Sequence, residues 1–294
     1  MIVCAFLVTT LPALHALPDY LTRSDELSRA DRNVESSNLL MRMLPTARTD
    51  AERAEIYWRL SRDTLVDGDS RRWAKASADS FLSFYWKGES YADQAIALDP
   101  DNPMGYYLKA CNIGRLEKAQ GANASLARAE LMRQLLVKAV LAGPLLSGPW
   151  YVLGQLYEQA PGWPISFGNT AWAVSLGRKA LDAGMTAVSD GVEHDVPLDY
   201  SIQLARHLAK RDWSTERRVQ EQALEARKFT QTSDVVERNF YYEGVVSIQP
   251  VSDRAEARQL CQEVIAKLRD GPRLTWSQRA DLENARATLA SLGK

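Results

Sequence analysis

The sequence predicts an all-α protein. Apolar residues recur with helical rather than alternating periodicity in almost every segment after Asp19, and no convincing β-rich stretch interrupts them. Proline and glycine punctuate most boundaries between these segments. Large rings and small residues also recur together at helical spacings, as in helices that pack in pairs.

Twelve helices follow in chain order. A lead helix covers about 24–44 and stops before Pro45, and a second, about 50–66, ends at an Asp67-Gly68-Asp69 turn. A long helix over about 71–98 stops at Pro100. Helices over about 103–118 and 123–142 are separated by Gly121. Those over about 147–159 and 168–184 are joined by a Pro161-Gly162-Trp163-Pro164 loop. The C-terminal part yields about 197–211, 214–230, 234–247, 253–269 and 275–292. Thr275 with Gln278 has capping-box spacing, and Asp253 with Glu256 is a looser version.

Trp150, Leu153 and Tyr157 share one stripe at i, i+3 and i+7, and Gly154 leaves room for a neighbouring helix. In Tyr91–Asn102, Ala95 occupies a tight crossing and Pro100 ends the helix; Tyr106 and Tyr107 then supply the next aromatic pair. Ala139 with Pro144, and Ala173 with Ala180, echo the pattern. These motifs resemble the tetratricopeptide repeat. The resemblance implies a right-handed superhelix of helical hairpins, here with irregular, lengthened repeats that depart from the usual period of about 34 residues. The irregular units are similar to the exported helper component of TRAP-type solute transporters in spirochaetes and other bacteria, and also to the regulator-of-microtubule-dynamics family. The likeness covers about 50–185; beyond Asp190 it is mostly helical character. The expected organisation is a signal peptide over 1–16, an N-terminal lead helix in 17–49, helix pairs over 50–190 and C-terminal hairpins or a capping bundle over 191–294.

The first sixteen residues are apolar and carry no charge, too short a run to span a bilayer comfortably, and they end on small residues. They are read as an export leader despite lacking a positive n-region, which predicts a periplasmic or exported protein, or a cytoplasmic one if they are retained. Cys4 precedes the apolar run and does not suit a lipid anchor. Cys111 and Cys261 lie far apart on predicted helices and read as buried thiols, with a bridge between them left open.

A net charge of -1 with no Lys/Arg block argues against nucleic acid as a partner. His-Glu-x-x-His, paired Cys-x-x-Cys, phosphate-loop and Gly-x-Ser-x-Gly motifs are all missing, so no catalytic, cofactor-binding or metal-binding residue is assigned. His15 falls in the leader, His194 lies in an acidic loop read as solvated, and His207 has no evident partner on its helix. Carboxylates alternate with Arg and Lys at helical spacing, as on solvated faces.

The expectation is therefore a non-enzymatic scaffold for protein–protein interaction, and the resemblance suggests a periplasmic solute-binding protein as partner. The alternative is a helical cup enclosing a small apolar ligand. Self-association is open. The inner-face candidates are Tyr107, Tyr151, Gln155 and Glu158, with Cys111 beside Tyr107. Trp163 and Phe167 in the Pro/Gly-rich insert are either a rim presenting aromatics to a partner or a loop folded back over the helix ends; the second is favoured.

Overall fold

A computed structural model describes residues 18–120, 126–191, 193–269 and 274–293. The 1–16 segment, with Cys4 and His15, and Gly121 lie outside these. Among the described residues there are thirteen α-helices and no strand, only a single bridge between Gly162 and Gly168. No described helix is long and apolar enough to cross a membrane.

The lead segment forms two helices rather than one, α1 (Asp19–Arg29) and α2 (Asn33–Met43), followed by a 3-10 turn, Leu44–Thr46. The break falls at Asp31, whose φ of 57° turns the chain left-handed. Thr49 caps α3 (Asp50–Trp73) by accepting from the Glu52 amide. This helix runs straight through Asp67-Gly68-Asp69, where a turn is expected from the sequence. Glycine at 68 serves close packing rather than a turn, since a Cβ there would lie 2.5 Å from the Tyr85 ring of the next helix. The break comes at 74–77, with Lys75 at φ 57°, so α4 (Ala78–Leu98) starts later than expected.

Six helices follow with boundaries close to those read from the sequence: α5 (Pro103–Gln120), α6 (Leu126–Ala142), α7 (Ser147–Gln159), α8 (Thr170–Ser189), α9 (Leu198–Arg211) and α10 (Thr215–Gln231). The predicted 234–247 helix is instead a four-residue α11 (Val235–Arg238) leading into a 3-10 segment, Asn239–Val245, kinked at Tyr241. Then come α12 (Asp253–Arg269) and α13 (Trp276–Leu292), the latter with the Thr275/Gln278 capping box in place.

Consecutive helices pack against one another from α3 through α9, and α12 and α13 then pack onto α9. Ala95, Ala139, Ala173 and Ala180 are buried, as crossings between close helices require. The largest apolar cluster joins α5 to α8 around Trp150, Leu153 and Tyr157. Cys111 and Cys261 are both buried and unbridged. The chain then returns on itself. The amide and hydroxyl of Ser277, at the start of α13, donate to Asp31 Oδ2 at 3.0 and 2.9 Å. Trp73 and Trp276 lie with ring centroids 6.4 Å apart, and the Arg279 guanidinium sits over Trp73. This contact between the two ends of the helical run borders a central, partly open space.

Candidate ligand-binding cavity

The central space has a volume of about 1420 Å³ and draws its walls from α3, α5, α7, α9 and α13 and the loops beside them. One stripe of α7 faces it: Tyr151, Gln155 and Glu158 recur at helical spacing and all three line the cavity. Their helix is fixed from behind. A Cβ on Gly154 would lie 3.3 Å from the Ala173 carbonyl of α8 and 3.1 Å from His207 Nε2, so glycine at 154 sets how closely these helices approach.

Each polar group on the α7 stripe is positioned by α9. Tyr151 donates its hydroxyl to Asp199 Oδ2 at 2.7 Å and stacks on Tyr200, with centroids 4.2 Å apart. Burial pushes the Asp199 carboxyl up, against the hydrogen bond from Tyr151 and the charge of Arg115, and burial also keeps Tyr151 a neutral phenol. Glu158 accepts from Gln203 Nε2 at 3.0 Å and makes a short contact with His207 Nδ1. Burial alone would raise Glu158; the His207 bond and charge, with Lys210 and Arg206, outweigh it and hold the carboxyl low. His207, without an evident partner in the sequence, is thus wedged beside Gly154 and Gly177 and bonded to Glu158, while its Nε2 has no partner.

The same cavity carries a cationic wall. Arg115 Nε donates to both Asp69 oxygens, at 2.8 and 3.0 Å, and Tyr85 donates its hydroxyl to the same carboxylate at 2.8 Å. Lys118, one turn along α5, has no hydrogen-bond or ion-pair partner among the described residues. Burial lowers its ammonium, and the neighbouring charges of Arg115, Arg72 and Arg206 lower it further. Arg206 donates to Thr288 and Asn284 of α13. Asp281 on α13 is pushed up to about 7 by burial and by the facing carboxylates of Asp199 and Asp31, with Arg206 pulling the other way.

The other candidates lie elsewhere. Tyr107 packs between two core clusters, its ring against Gly148, and does not line the cavity. Cys111 is buried beside it. In the insert, Phe167 folds back onto Tyr157, edge to face at 5.2 Å, while Trp163 points outward at 89% exposure with Ile165 beside it at 68%. The favoured fold-back reading therefore describes Phe167 but not Trp163. Gly168 closes this loop; a Cβ would fall 1.9 Å from the Ala160 carbonyl oxygen. In the acidic loop, Glu193 turns inward to accept from the Ser147 amide and hydroxyl at the start of α7.

Arg72, Arg115, Lys118, Arg206 and Asp281 were not singled out by the sequence reading. A signal for two of them exists: extending the Tyr107–Cys111 stripe by four and then three residues gives Arg115 and Lys118, where the stripe leaves the core and reaches the cavity. No group of three or more His, Cys, Asp or Glu side chains suited to a metal ion occurs among the described residues. No protein-family model matches the chain, and no curated protein matches it.

Proposed function

We propose that the protein is a non-enzymatic binding protein of tetratricopeptide-like construction that holds a hydrophilic ligand in its central cavity. The observation that carries this reading is the contact of Asp31 and Trp73 with Ser277 and Trp276, which borders a large cavity whose walls hold several charged side chains without partners among the described residues. Such a space is larger than the roughly 300–1,000 Å³ of ordinary ligand pockets, so a ligand would share it with water. An apolar ligand is disfavoured, because it would strip water from Lys118, Arg72 and Asp281 without replacing it. Under this reading residues 1–16 direct export, and the protein works outside the cytoplasm.

The test is native mass spectrometry of the purified protein before and after denaturation. A co-purifying small polar mass, released on unfolding and absent from a variant with the cavity filled by Gln155→Trp, is the expected result. Retention of that mass by the filled variant would place the ligand elsewhere.

A second reading, a scaffold for a protein partner such as a periplasmic solute-binding protein, is supported by the insert. A tryptophan exposed to 89% beside an exposed isoleucine is the type of anchor that interfaces bury. Co-elution at high micromolar concentration, lost on Trp163→Asp, supports it; absence of any complex at that concentration counts against it.

A further inference from the structure

We infer that the ligand is a small multivalent oxyanion, carrying carboxylate or phosphate groups, held by Arg72, Arg115, Lys118 and Arg206. This rests on the cavity-binding reading and narrows it to one ligand class. The four cations come from three helices far apart in the chain, the end of α3, α5 and α9, and converge on one wall of the cavity. Among the described residues Asp69 is the only carboxylate that pairs with any of them, and it takes only Nε of Arg115. The terminal nitrogens of Arg115, the Arg72 guanidinium and the Lys118 ammonium have no partner among the described residues. Like charges drawn together with a single direct ion pair among them oppose folding, and a fold that retains them leaves room for an anion to complete the set. Arginine forks match the planar geometry of carboxylate and phosphate oxygens, and lysine adds a mobile point charge.

The facing carboxylates bear on this directly. Asp31 is occupied by its two hydrogen bonds from Ser277, and Asp199 by the Tyr151 hydroxyl. Asp281 faces Asp31, Asp199 and Arg206, and burial among them favours its neutral form. Glu158 is likewise taken by Gln203 and His207, so among the described residues none of these carboxylates takes up the free donors of Arg72, Arg115 and Lys118. An extended polyanion is disfavoured, since the whole chain carries -1 and the cations are gathered in one partly open cavity rather than along a surface.

The probes are citrate, pyrophosphate, sorbitol as a neutral polyol and spermidine as a polycation. Binding is read by calorimetry at fixed ionic strength and by tryptophan fluorescence, since Trp73 and Trp276 line the cavity. Citrate, pyrophosphate or both are expected to bind; which one does separates a carboxylate from a phosphate ligand. Lys118→Gln and Arg72→Gln should each weaken that binding at least ten-fold with unchanged circular dichroism, Lys118→Arg should retain it, and Trp276→Phe should diminish the fluorescence change. Anion binding that is equal in the parent and in the Arg72→Gln/Lys118→Gln double variant would overturn the assignment. Binding of sorbitol or spermidine in place of the anions would overturn it while leaving the cavity reading intact. If no probe binds and no mass co-purifies, both fall.

Discussion

Two groups of arginines in this molecule sit in opposite circumstances. Arg178, Arg211 and Arg218 are buried against Glu243, Asp253 and Glu256. Arg178 grips Glu256 with two bonds of 2.8 Å and Glu243 with one of 2.9 Å. Arg211 takes Asp253 with two bonds of 2.8 Å as well as Glu243, and Arg218 reaches Glu256 and the Val251 carbonyl. The result ties the irregular 239–253 segment to α8, α9 and α10. Arg72, Arg115 and Arg206 line a partly open space with one carboxylate partner, Asp69, between them among the described residues. The same side chain holds the fold together where each arginine has at least one carboxylate partner, and is available for binding where guanidinium donors are left over. Charge alone does not separate the two roles; partner count does.

The largest expected effect lies in the paired group. Arg211→Met should cost about 3–5 kcal/mol in urea denaturation, because it takes from buried Asp253 the guanidinium that holds it with two bonds and from buried Glu243 one of its arginines. A loss under about 1 kcal/mol would break the comparison, since the network would then contribute no more than a surface ion pair. The pH dependence has a definite sign. Burial works to raise Glu243 and Glu256, but their arginines hold both below the ordinary 4.5. Their contribution is therefore fully present above about pH 4.5 and lost as pH falls through the lowered values.

The insert repeats the contrast with aromatic rings. Phe167 touches Tyr157 and lies under the Arg133 guanidinium, so Phe167→Ala should cost about 2–3 kcal/mol, somewhat less than for a fully buried phenylalanine. Trp163→Ala should change the stability by no more than about 0.5 kcal/mol, since its ring is exposed. Equal losses in thermal denaturation would show that both rings belong to the core.

These contrasts mark what the sequence could reveal. The helices from α5 to α10 were legible because their apolar stripes and their Pro and Gly stops agree. The α7 stripe at Tyr151, Gln155 and Glu158 was legible because one packed face of a helix fixes the other. The errors arose where distant chain sets local shape. Gly68 reads as a turn residue until Tyr85 packs on it, and 239–245 reads as helix until Glu243 is drawn to Arg211 and Arg178. The cavity itself was invisible, because Asp31 and Ser277 are 246 residues apart and no local pattern announces their contact.

Asp281 lies between the two regimes, a carboxyl partly buried without a hydrogen-bond partner. Its folded value of about 7 lies above the ordinary 3.8, so ionising it as pH rises from about 4 to 7 removes stability. Asp281→Asn should therefore stabilise by about 1–2 kcal/mol at pH 8 and by little at pH 4, a figure reduced for the solvent in the cavity. Glu225 is also pushed up to about 7, so the quantity to measure is variant minus parent across pH. A difference that stays flat with pH would mean that the cavity screens Asp281 as bulk water does.

The smallest expected stability change sharpens the comparison most. Lys118→Gln removes a cation whose charged neighbours in the cavity wall include three arginines and which has no bond to lose. Its stability in urea should stay within about 0.5 kcal/mol of the parent, with any shift toward greater stability because a like-charge contact has gone. Arg211→Met, by contrast, subtracts one positive charge and should go far toward unfolding the protein. A destabilisation by Lys118→Gln of about 2 kcal/mol or more would mean that this lysine is paired in solution, and the cationic wall would then be structural like the network behind it.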